Sequence, residues 1–304
     1  MIVEENLQLR SGALRNARVL VTGGGTGLGR IMAEGCAALG ATVYICGRRG
    51  GLLDATAAGI NEAHGAGSAR PILCDLRSAE SIDGMLATIW EDGGALTGLI
   101  NNAAANFIAR TETISPNGFD AINQTVARGA FLATTGCGKR WIKEGVCGAV
   151  VSVLTTWVIN GGPYGVPAAM AKAGVWAMTQ SLAVEWGRHG IRLNAICPGA
   201  FPPTEGMASR LMTAEQGMNE QNTNPMRRNG TPEELANLAT FLISPGAAFI
   251  SGQMIAIDGA GYQGTGANFA GLASWTDAMW DEARERIRRV DSEDRALRTT
   301  PAND

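Results

Sequence analysis

Glycine has the most informative spacing in this 304-residue chain, which contains 41 glycines. An apolar run over residues 17–21 leads directly into Thr22-Gly-Gly-Gly-Thr-Gly-Leu-Gly29, and a helical pattern follows. Glycines at such a turn let the backbone approach a pyrophosphate, and the start of the next helix offers free N–H groups and a positive dipole end. Glycines can also make a plain turn, but this position between strand and helix favours dinucleotide binding. The predicted contacts are Thr22, Gly23, Gly25, Thr26, Gly27, Leu28 and Gly29.

The end of the second predicted strand distinguishes between the two nicotinamide dinucleotides. An NAD site usually has an acidic side chain there, which hydrogen-bonds to the adenosine ribose. This chain has Gly47 followed by Arg48 and Arg49, whose guanidinium groups can pair with a 2′-phosphate. Two solvated surface charges are the alternative interpretation, but the missing acid favours NADPH.

The third predicted strand is followed by Asp75 and Leu76. The Asp75 carboxylate could accept a hydrogen bond from the adenine amino group of a bound dinucleotide. It could instead cap the helix predicted to start near Ser78. Both residues are therefore candidate cofactor contacts, with helix capping as the alternative role for Asp75.

Alternating apolar and amphipathic segments predict the elements that position these residues. Strands that are apolar on both faces and separated by helices predict a parallel sheet covered on both sides. The predicted strands are 17–21, 42–46, 71–74, 96–101, 148–154, 191–196 and 254–258. The predicted helices are about 27–39, 50–64, 78–92, 117–143, 165–187 and 232–243, with a charged amphipathic segment near 276–290.

Composition excludes several classes of protein. The formal net charge of −3 offers no general electrostatic surface for nucleic acid or anionic membranes, and no apolar run approaches the roughly 20 residues of a membrane span. Residues 1–15 lack the apolar stretch of a secretory signal, so a cytoplasmic protein with reduced cysteines is expected. With only two histidines and no CxxC pair, neither a zinc site nor a Ser-His-Asp triad is expected.

Four motifs resemble, in order, those of the short-chain dehydrogenase/reductase family: the Thr22–Gly29 run, Asn101-Asn-Ala-Ala104, Lys172 and Pro198-Gly199. The resemblance implies a Rossmann-type, doubly wound, seven-stranded parallel sheet and hydride transfer from a nicotinamide cofactor. It implies that Asn101 and Ala103 lie along the cofactor. It further implies that Lys172 holds the nicotinamide ribose, that Pro198 and Gly199 contact the nicotinamide end, and that the chain forms a homo-oligomer, commonly a homotetramer.

Further motifs are similar to the 2,4-dienoyl-CoA reductases of fatty acid metabolism. They include Asn101-Asn-Ala-Ala-Ala-Asn-Phe107, Ser115-Pro-Asn117, Ala171-Lys-Ala-Gly174, Glu185-Trp-Gly187 and Glu233-Glu-Leu-Ala-Asn-Leu238. In that group NADPH delivers hydride to the δ carbon of a 2,4-dienoyl-CoA thioester, and protonation of the dienolate leaves a trans-3-enoyl-CoA. The likeness implies that Asn106 is a catalytic asparagine.

The chain departs from the family at its proton donor. Most short-chain reductases have Tyr four residues before the lysine, where this chain has Ala168. Mitochondrial-type dienoyl-CoA reductases use a Tyr fifteen residues before the lysine, where this chain has Trp157. Because ketone reduction needs an acid at the carbonyl oxygen, ketone chemistry is disfavoured. Asn106 could stabilise the thioester oxyanion and Lys172 remains as a cation beside the cofactor.

Other assignments stay open at this point. Tyr164, eight residues before Lys172, could be the acid of a ketone/alcohol oxidoreductase. Thr155 and Thr156 offer hydroxyls at the end of the fifth predicted strand, and a Lys172-bound water could be the final proton donor. The chain could also bind NADPH without efficient catalysis. A dinucleotide-binding domain over 1–262, with a substrate lid over 199–231, and a C-terminal extension over 263–304 are expected. In the lid, Met207, Met212, Met218 and Met226 could line an acyl channel or fill an irregular core.

Overall fold

A seven-stranded, all-parallel sheet forms the framework of the computed structural model, which describes residues 1–105, 108–201, 224–265, 272 and 274–296. The strand order is β3-β2-β1-β4-β5-β6-β7. The strands are β1 Arg18–Thr22, β2 Thr42–Gly47, β3 Ala69–Leu73, β4 Gly98–Asn101, β5 Gly148–Val153, β6 Ile191–Pro198 and β7 Met254–Ile257. The predicted doubly wound sheet is confirmed. Its order reverses between β1 and β4, and ligands bind such sheets at the carboxyl ends beside this reversal.

Helices cover both faces of the sheet, which explains the apolar strands. All six residues of β5 are buried, as expected for a strand without a solvated face. The α-helices up to residue 243 are α1 Gly27–Ala38, α2 Gly50–His64, α3 Ala79–Gly93, α4 Pro116–Asn123, α5 Gly129–Glu144, the short α6 Trp157–Asn160, α7 Val166–Trp186 and α8 Pro232–Ile243. A buried core lies on each side: α1, α2 and α8 contribute to one, and α3 and α5 to the other.

The helix predicted over 117–143 is interrupted. A π-helical turn, Gln124–Arg128, joins α4 to α5. Gly129, the first residue of α5, lets the helix pack closely against Leu76. A Cβ on Gly129 would lie 3.1 Å from both the Cβ atom and the carbonyl oxygen of Leu76. The other predicted elements agree with the structure to within about two residues at most ends, as is usual for helix and strand boundaries.

Contacts divide the chain into two compact units, Met1–Tyr262 and Gln263–Asp304. A short helix, α9, covers Gly261–Gly264. The second unit contains α10, Asp277–Ala296, which confirms the predicted C-terminal helical extension. The Trp275 and Trp280 rings pack edge to face with centroids 4.9 Å apart. Within the described ranges, no helix is both long and apolar enough to cross a membrane.

Candidate active site

A cavity of about 760 Å³ opens at the carboxyl ends of the strands. Its described walls come from the glycine-rich turn, the ends of β2 and β3, the segment after β4, and the end of β5 with α6 and α7. They are Gly23, Gly25, Thr26, Gly27, Leu28, Cys46, Gly47, Arg48, Arg49, Leu52, Leu53, Cys74, Asp75, Leu76, Asn102, Ala103, Ala104, Ala105, Thr125, Val153, Leu154, Thr155, Trp157, Ala168 and Lys172.

The glycine-rich turn is shaped for a close-fitting anionic ligand. Gly23 has φ +66° and Gly27 has φ +56°, a region that L side chains rarely adopt. A Cβ on Gly29 would lie 2.4 Å from both Gly23 O and Asn102 Nδ2, so only glycine fits there. Helix α1 begins here, and its N-cap residue Thr26 makes no side-chain cap hydrogen bond. This cradle with its helix terminus fits the pyrophosphate of a dinucleotide.

Thr22 and Asn102 hold the turn in place. The Thr22 hydroxyl accepts hydrogen bonds from the backbone N–H groups of Asn102 and Ala103, at 3.0 and 3.1 Å. Asn102 Nδ2 donates to Thr22 O at 3.0 Å and to Gly23 O at 3.3 Å. Thr22 itself is buried and lines a small cavity beside Lys172 rather than the main one, and its direct contact with a cofactor stays a prediction. Sequence reasoning missed Asn102, although the Asn-Asn pair was the available signal.

The Asn101 side chain is buried beneath the segment that follows β4. It is 6% exposed, and its Nδ2 donates to Thr134 Oγ1 at 2.8 Å. Its Oδ1 has no hydrogen-bond partner among the described residues. Asn101 lines a small cavity that shares Ala103 and Lys172 with the main one, and its place along the cofactor stays a prediction.

Positive charge dominates the adenosine end of the cavity. Arg48 and Arg49 are exposed there, and Arg49 Nη2 lies 3.4 Å from Thr26 Oγ1. Asp75 is the one carboxylate among the described wall residues, and Arg77 Nη2 pairs with it at 2.6 Å. Hydrogen bonding from Arg77 is the main reason that the pKa of Asp75 falls to about 2. The capping alternative for Asp75 is wrong, because the Ser78 side chain caps α3.

The other end of the cavity contains a buried lysine. Lys172, on α7, is 9% exposed and its Nζ donates to the carbonyl oxygen of Val153. Desolvation lowers the pKa of Lys172 to about 8, a shift that the nearby Cys197 opposes. A lysine with this pKa can hold or release a proton near neutral pH. Thr155, which follows β5 closely, adds a hydroxyl to the same wall.

Ala168 and Trp157 pack together where the family places its acids. Ala168 is 5% exposed, and Trp157 packs partly buried against the small cluster that contains it. The indole also occupies the space in front of Gly162 and Gly165, where added Cβ atoms would approach the ring to 2.7 and 2.8 Å. The absence of side chains at Gly162 and Gly165 thus leaves room for the large ring. No phenol is present among the described wall residues.

Several predicted site residues lie apart from the described cavity walls. Tyr164 is 59% exposed, has φ +61° and is held by a hydrogen bond from Ala109 N to its carbonyl oxygen. Pro198 ends β6, and a Cβ on Gly199 would lie 2.7 Å from Asp258, so glycine permits close packing there. The roles of all three in contacting ligand stay predictions.

Part of the predicted site falls outside the described residues. These positions are Asn106, Met207, Met212 and Met218, together with most of the lid assigned to 199–231. Of the lid methionines, Met226 is described and is 64% exposed. The oxyanion role of Asn106, the lid and the acyl channel stay predictions.

Comparison with known proteins gives consistent matches. The family model for enoyl-(acyl carrier protein) reductase matches residues 23–263. A Caenorhabditis elegans protein named "Probable 2,4-dienoyl-CoA reductase 3", described as (3E)-enoyl-CoA-producing, is 38% identical over 92% of this chain and 92% of its own. A Bacillus subtilis protein named "Probable 2,4-dienoyl-CoA reductase", described as (2E)-enoyl-CoA-producing, is 39% identical over 79% of this chain and 94% of its own.

A solved structure agrees with the sequence matches. The crystal structure of a short chain dehydrogenase from Bacillus anthracis has a TM-score of 0.74 at 37% identity, over 83% of this chain and 98% of that one. The strand order and the glycine-rich turn before α1 are those expected of such enzymes. This chain belongs to the short-chain dehydrogenase/reductase family of oxidoreductases, and its sequence is similar to those of 2,4-dienoyl-CoA reductases.

Proposed function

We propose that this protein uses NADPH to reduce a conjugated enoyl thioester, specifically a 2,4-dienoyl-CoA. One observation carries the proposal: the cavity has a dinucleotide cradle and a buried Lys172, but Ala168 stands where carbonyl-reducing family members have a phenol. Ketone reduction needs an acid at the carbonyl oxygen, whereas a conjugated thioester spreads the added charge over its π system. The names of the relatives support the same substrate class.

The choice of NADPH rests on charge at the adenosine end. Arg48 and Arg49 line the cavity directly after Gly47, the last residue of β2. Arginine pairs well with phosphate oxygens because its donors form a planar fork. Asp75 is engaged by Arg77 and lies after β3 rather than β2, so it does not take the place of an NAD-type ribose acid. A 2′-phosphate would therefore meet two guanidinium groups, while the charge of the Asp75 carboxylate is balanced by Arg77.

The reaction requires one hydride and one proton. A bound NADPH would supply hydride to the δ carbon of the diene. The electron pair then moves through the conjugated chain to the thioester oxygen, which gives a dienolate. A proton at the α carbon completes a 3-enoyl-CoA, whereas a proton at the γ carbon completes a 2-enoyl-CoA. The position of the proton donor thus decides which product forms.

Lys172 is the group on the described nicotinamide-side wall that titrates near neutral pH. As an ammonium ion it stabilises negative charge on the substrate and orients the nicotinamide ribose. Its Nζ can also release a proton, directly or through the Thr155 hydroxyl or a bound water. The Asn106 amide would be the oxyanion donor. The indole of Trp157 would limit the space beside the reacting chain and exclude water.

The test is a spectrophotometric comparison of substrates and cofactors. NADPH oxidation is measured with a 2,4-dienoyl-CoA, a saturated 3-ketoacyl-CoA and a simple ketone, and each assay is repeated with NADH. Turnover of the dienoyl-CoA with preference for NADPH is expected, and the product is identified by mass spectrometry. Saturation with NADPH should also raise the melting temperature.

Two outcomes would contradict the proposal. Ketone turnover that exceeds dienoyl-CoA turnover, and disappears in Tyr164→Phe, would establish the ketone/alcohol alternative. NADPH binding with no hydride transfer to a conjugated acyl-CoA in a single turnover would establish a binding protein of low activity. Homo-oligomer formation and a cytoplasmic location remain predictions alongside the proposed activity.

A further inference from the structure

Two cysteines lie beneath the adenosine end of the cavity and have no part in the proposed reaction. Cys46 is the penultimate residue of β2, and Cys74 directly follows β3, the neighbouring strand. Both line the cavity, although neither is more than 2% exposed. The other four cysteines do not line it.

The two thiols lie at the ends of neighbouring strands and influence each other, since the Cys74 thiol is the main cause of the raised pKa of Cys46 and the Cys46 thiol is the main cause of the lowered pKa of Cys74. The Ser81 hydroxyl approaches the same sulfur at 3.6 Å. Cys46 pairs in register with Ile72, so Cys74 lies two positions further along and on the same face of the sheet. Cys74 is just beyond the end of β3, where the chain has left the strand.

The pair is chemically unequal. Hydrogen bonding from Cys46 is the main reason that the pKa of Cys74 falls to about 7, whereas the pKa of Cys46 is raised. Near neutral pH, Cys74 can therefore be a thiolate nucleophile while Cys46 stays protonated. This is the arrangement in which one thiol attacks an oxidant and its neighbour resolves the product.

Backbone hydrogen bonds connect the pair to the nucleotide cradle. The Gly23 N–H donates to the Cys46 carbonyl oxygen at 2.8 Å, so Cys46 anchors the first glycine of the turn. Beyond the end of β3, the Ser81 hydroxyl on α3 accepts from the backbone N–H of Asp75 at 3.0 Å and also contacts the Cys74 sulfur. Movement of either cysteine is transmitted to a wall of the cavity.

We propose that Cys46 and Cys74 form a reversible disulfide that weakens dinucleotide binding. This inference rests on the dinucleotide part of the proposed function and is independent of the acyl substrate. A disulfide needs sulfur atoms about 2.0 Å apart, much closer than a hydrogen-bonded pair. Closing that distance draws the ends of β2 and β3 together and displaces Gly23 and Asp75.

The oxidant is a hydroperoxide, which is small enough to enter the cavity. The Cys74 thiolate attacks one peroxide oxygen, the O–O bond breaks, and the other oxygen leaves as hydroxide or alkoxide. Cys46 then attacks the resulting sulfenic acid, the S–S bond forms, and the sulfenic oxygen leaves as water with the Cys46 proton. Two thiols lose two electrons, and hydrogen peroxide is reduced to water.

The test combines thiol chemistry with binding on the full chain. The reduced protein is treated with equimolar hydrogen peroxide, and the linked peptides are mapped by mass spectrometry without reductant. The Kd for NADPH is measured by calorimetry before oxidation, after oxidation and after dithiothreitol. We expect a Cys46–Cys74 peptide that has lost two hydrogens and a Kd raised about tenfold or more, with recovery on reduction. In a glutathione redox buffer, saturation with NADPH should shift the thiol–disulfide equilibrium toward the reduced pair, because linkage is reciprocal.

Variants identify the cysteines responsible. Cys46→Ser and Cys74→Ser should each abolish the change in Kd on oxidation, measured as the ratio of oxidised to reduced Kd within each variant. Cys147→Ser is the matched control, because Cys147 is exposed and precedes β5 at the amino ends of the strands, away from the cavity, and it should keep the wild-type ratio. If a buried variant fails to fold, the linked peptide and the Kd ratio of the wild-type chain decide the question.

The inference is overturned by either of two results. In the first, peroxide adds oxygen atoms to Cys74 and no Cys46–Cys74 peptide is found. In the second, the linked peptide is found but the Kd for NADPH is the same before and after oxidation. Reduced protein that binds no NADPH would overturn the proposed function and, with it, the control of binding. Failure to reduce dienoyl-CoA with intact NADPH binding would overturn the proposed function alone.

Discussion

The two ends of the cavity differ in how far they follow the family pattern. The adenosine end, formed by the glycine-rich turn and the ends of β2 and β3, has the expected glycines, a helix terminus and arginines. The nicotinamide end, formed by the segments after β4 and β5 and by α7, has the lysine but has Ala168 and Trp157 in place of phenols. The backbone geometry of the adenosine end thus suits dinucleotide binding, whereas the nicotinamide end lacks the phenol that usually donates the proton in this family.

This difference separates binding from chemistry. Contacts made by backbone and fixed charge at the adenosine end do not depend on which reaction follows. The chemistry depends on the few groups that can hold or release a proton at the nicotinamide end. Substitutions at the adenosine end should therefore change the affinity for the dinucleotide, and substitutions at the nicotinamide end should change the rate of turnover.

The largest effect is expected from Lys172→Met. The variant removes the buried cation while keeping much of the side-chain volume, so kcat for dienoyl-CoA reduction should fall about thousandfold, within the usual range for loss of an acid–base group. Steady-state NADPH oxidation measures the change. Lys143→Met, at an exposed position on α5, is the control and should keep wild-type kcat. Wild-type kcat in Lys172→Met would show that the lysine has no catalytic role.

The same lysine predicts opposite pH trends for activity and stability. The pKa of Lys172 is lowered to about 8 in the folded chain from an ordinary value of 10.5. Below pH 8 both states are protonated, and burial of the charge opposes folding. Between pH 8 and 10.5 only the unfolded state holds this proton, so the free energy of unfolding should rise with pH. The kcat should fall over the same interval, and both trends should vanish in Lys172→Met.

Gly29→Ala should have the next largest effect, this time on binding. The added Cβ would meet Gly23 O and Asn102 Nδ2 at 2.4 Å, so the turn must move out of its binding geometry. A Kd for NADPH raised about hundredfold is expected, equivalent to about 3 kcal/mol. Gly84→Ala is the matched control, because that α3 glycine has nothing within 4 Å of an added Cβ. Equal Kd values for the two variants would argue against a cradle at Gly29.

Arg48→Ala combined with Arg49→Ala should change the choice of dinucleotide. Loss of both guanidinium groups should reduce the preference for NADPH over NADH about tenfold, because a charge-assisted contact to a 2′-phosphate contributes roughly 1.5–3 kcal/mol. The ratio of the two Kd values gives the preference directly. Arg10→Ala removes an exposed arginine elsewhere and should leave that ratio unchanged. An unchanged ratio in the double variant would mean that the two arginines are only surface charges.

The sequence predicted the elements and the glycine-rich turn because both depend on local pattern. Runs of Val, Ile and Leu separated by helical periodicity define buried parallel strands, and glycine spacing defines the turn. The π-helical turn at Gln124–Arg128 was not predicted, since its residues differ little from those of an ordinary helix. It nevertheless places Thr125 on the cavity wall.

Contacts between distant residues could not be predicted in the same way. The motif contained two adjacent asparagines, but only the orientation at the end of β4 shows that Asn101 points inward to Thr134 while Asn102 holds the turn. The contact between Cys46 and Cys74 depends on the register of β2 with β3. Counting back from Lys172 identified Ala168 and Trp157, yet their mutual packing became visible only in three dimensions.

The smallest effect is expected from Trp157, and it tests whether a phenol still matters at the nicotinamide end. Trp157→Tyr restores the phenol of mitochondrial-type enzymes, and Trp157→Phe is its matched control because the two rings differ by one hydroxyl. Both should be destabilised similarly, since each leaves part of the indole volume beside Ala168 unfilled. We expect kcat for dienoyl-CoA reduction to be about threefold higher in the Tyr variant than in the Phe variant. That is less than a hydrogen bond to a developing charge can contribute, because the phenol would be imperfectly held. Equal kcat values would mean that the site has been rebuilt around the lysine, and that a phenol at residue 157 no longer reaches the oxyanion.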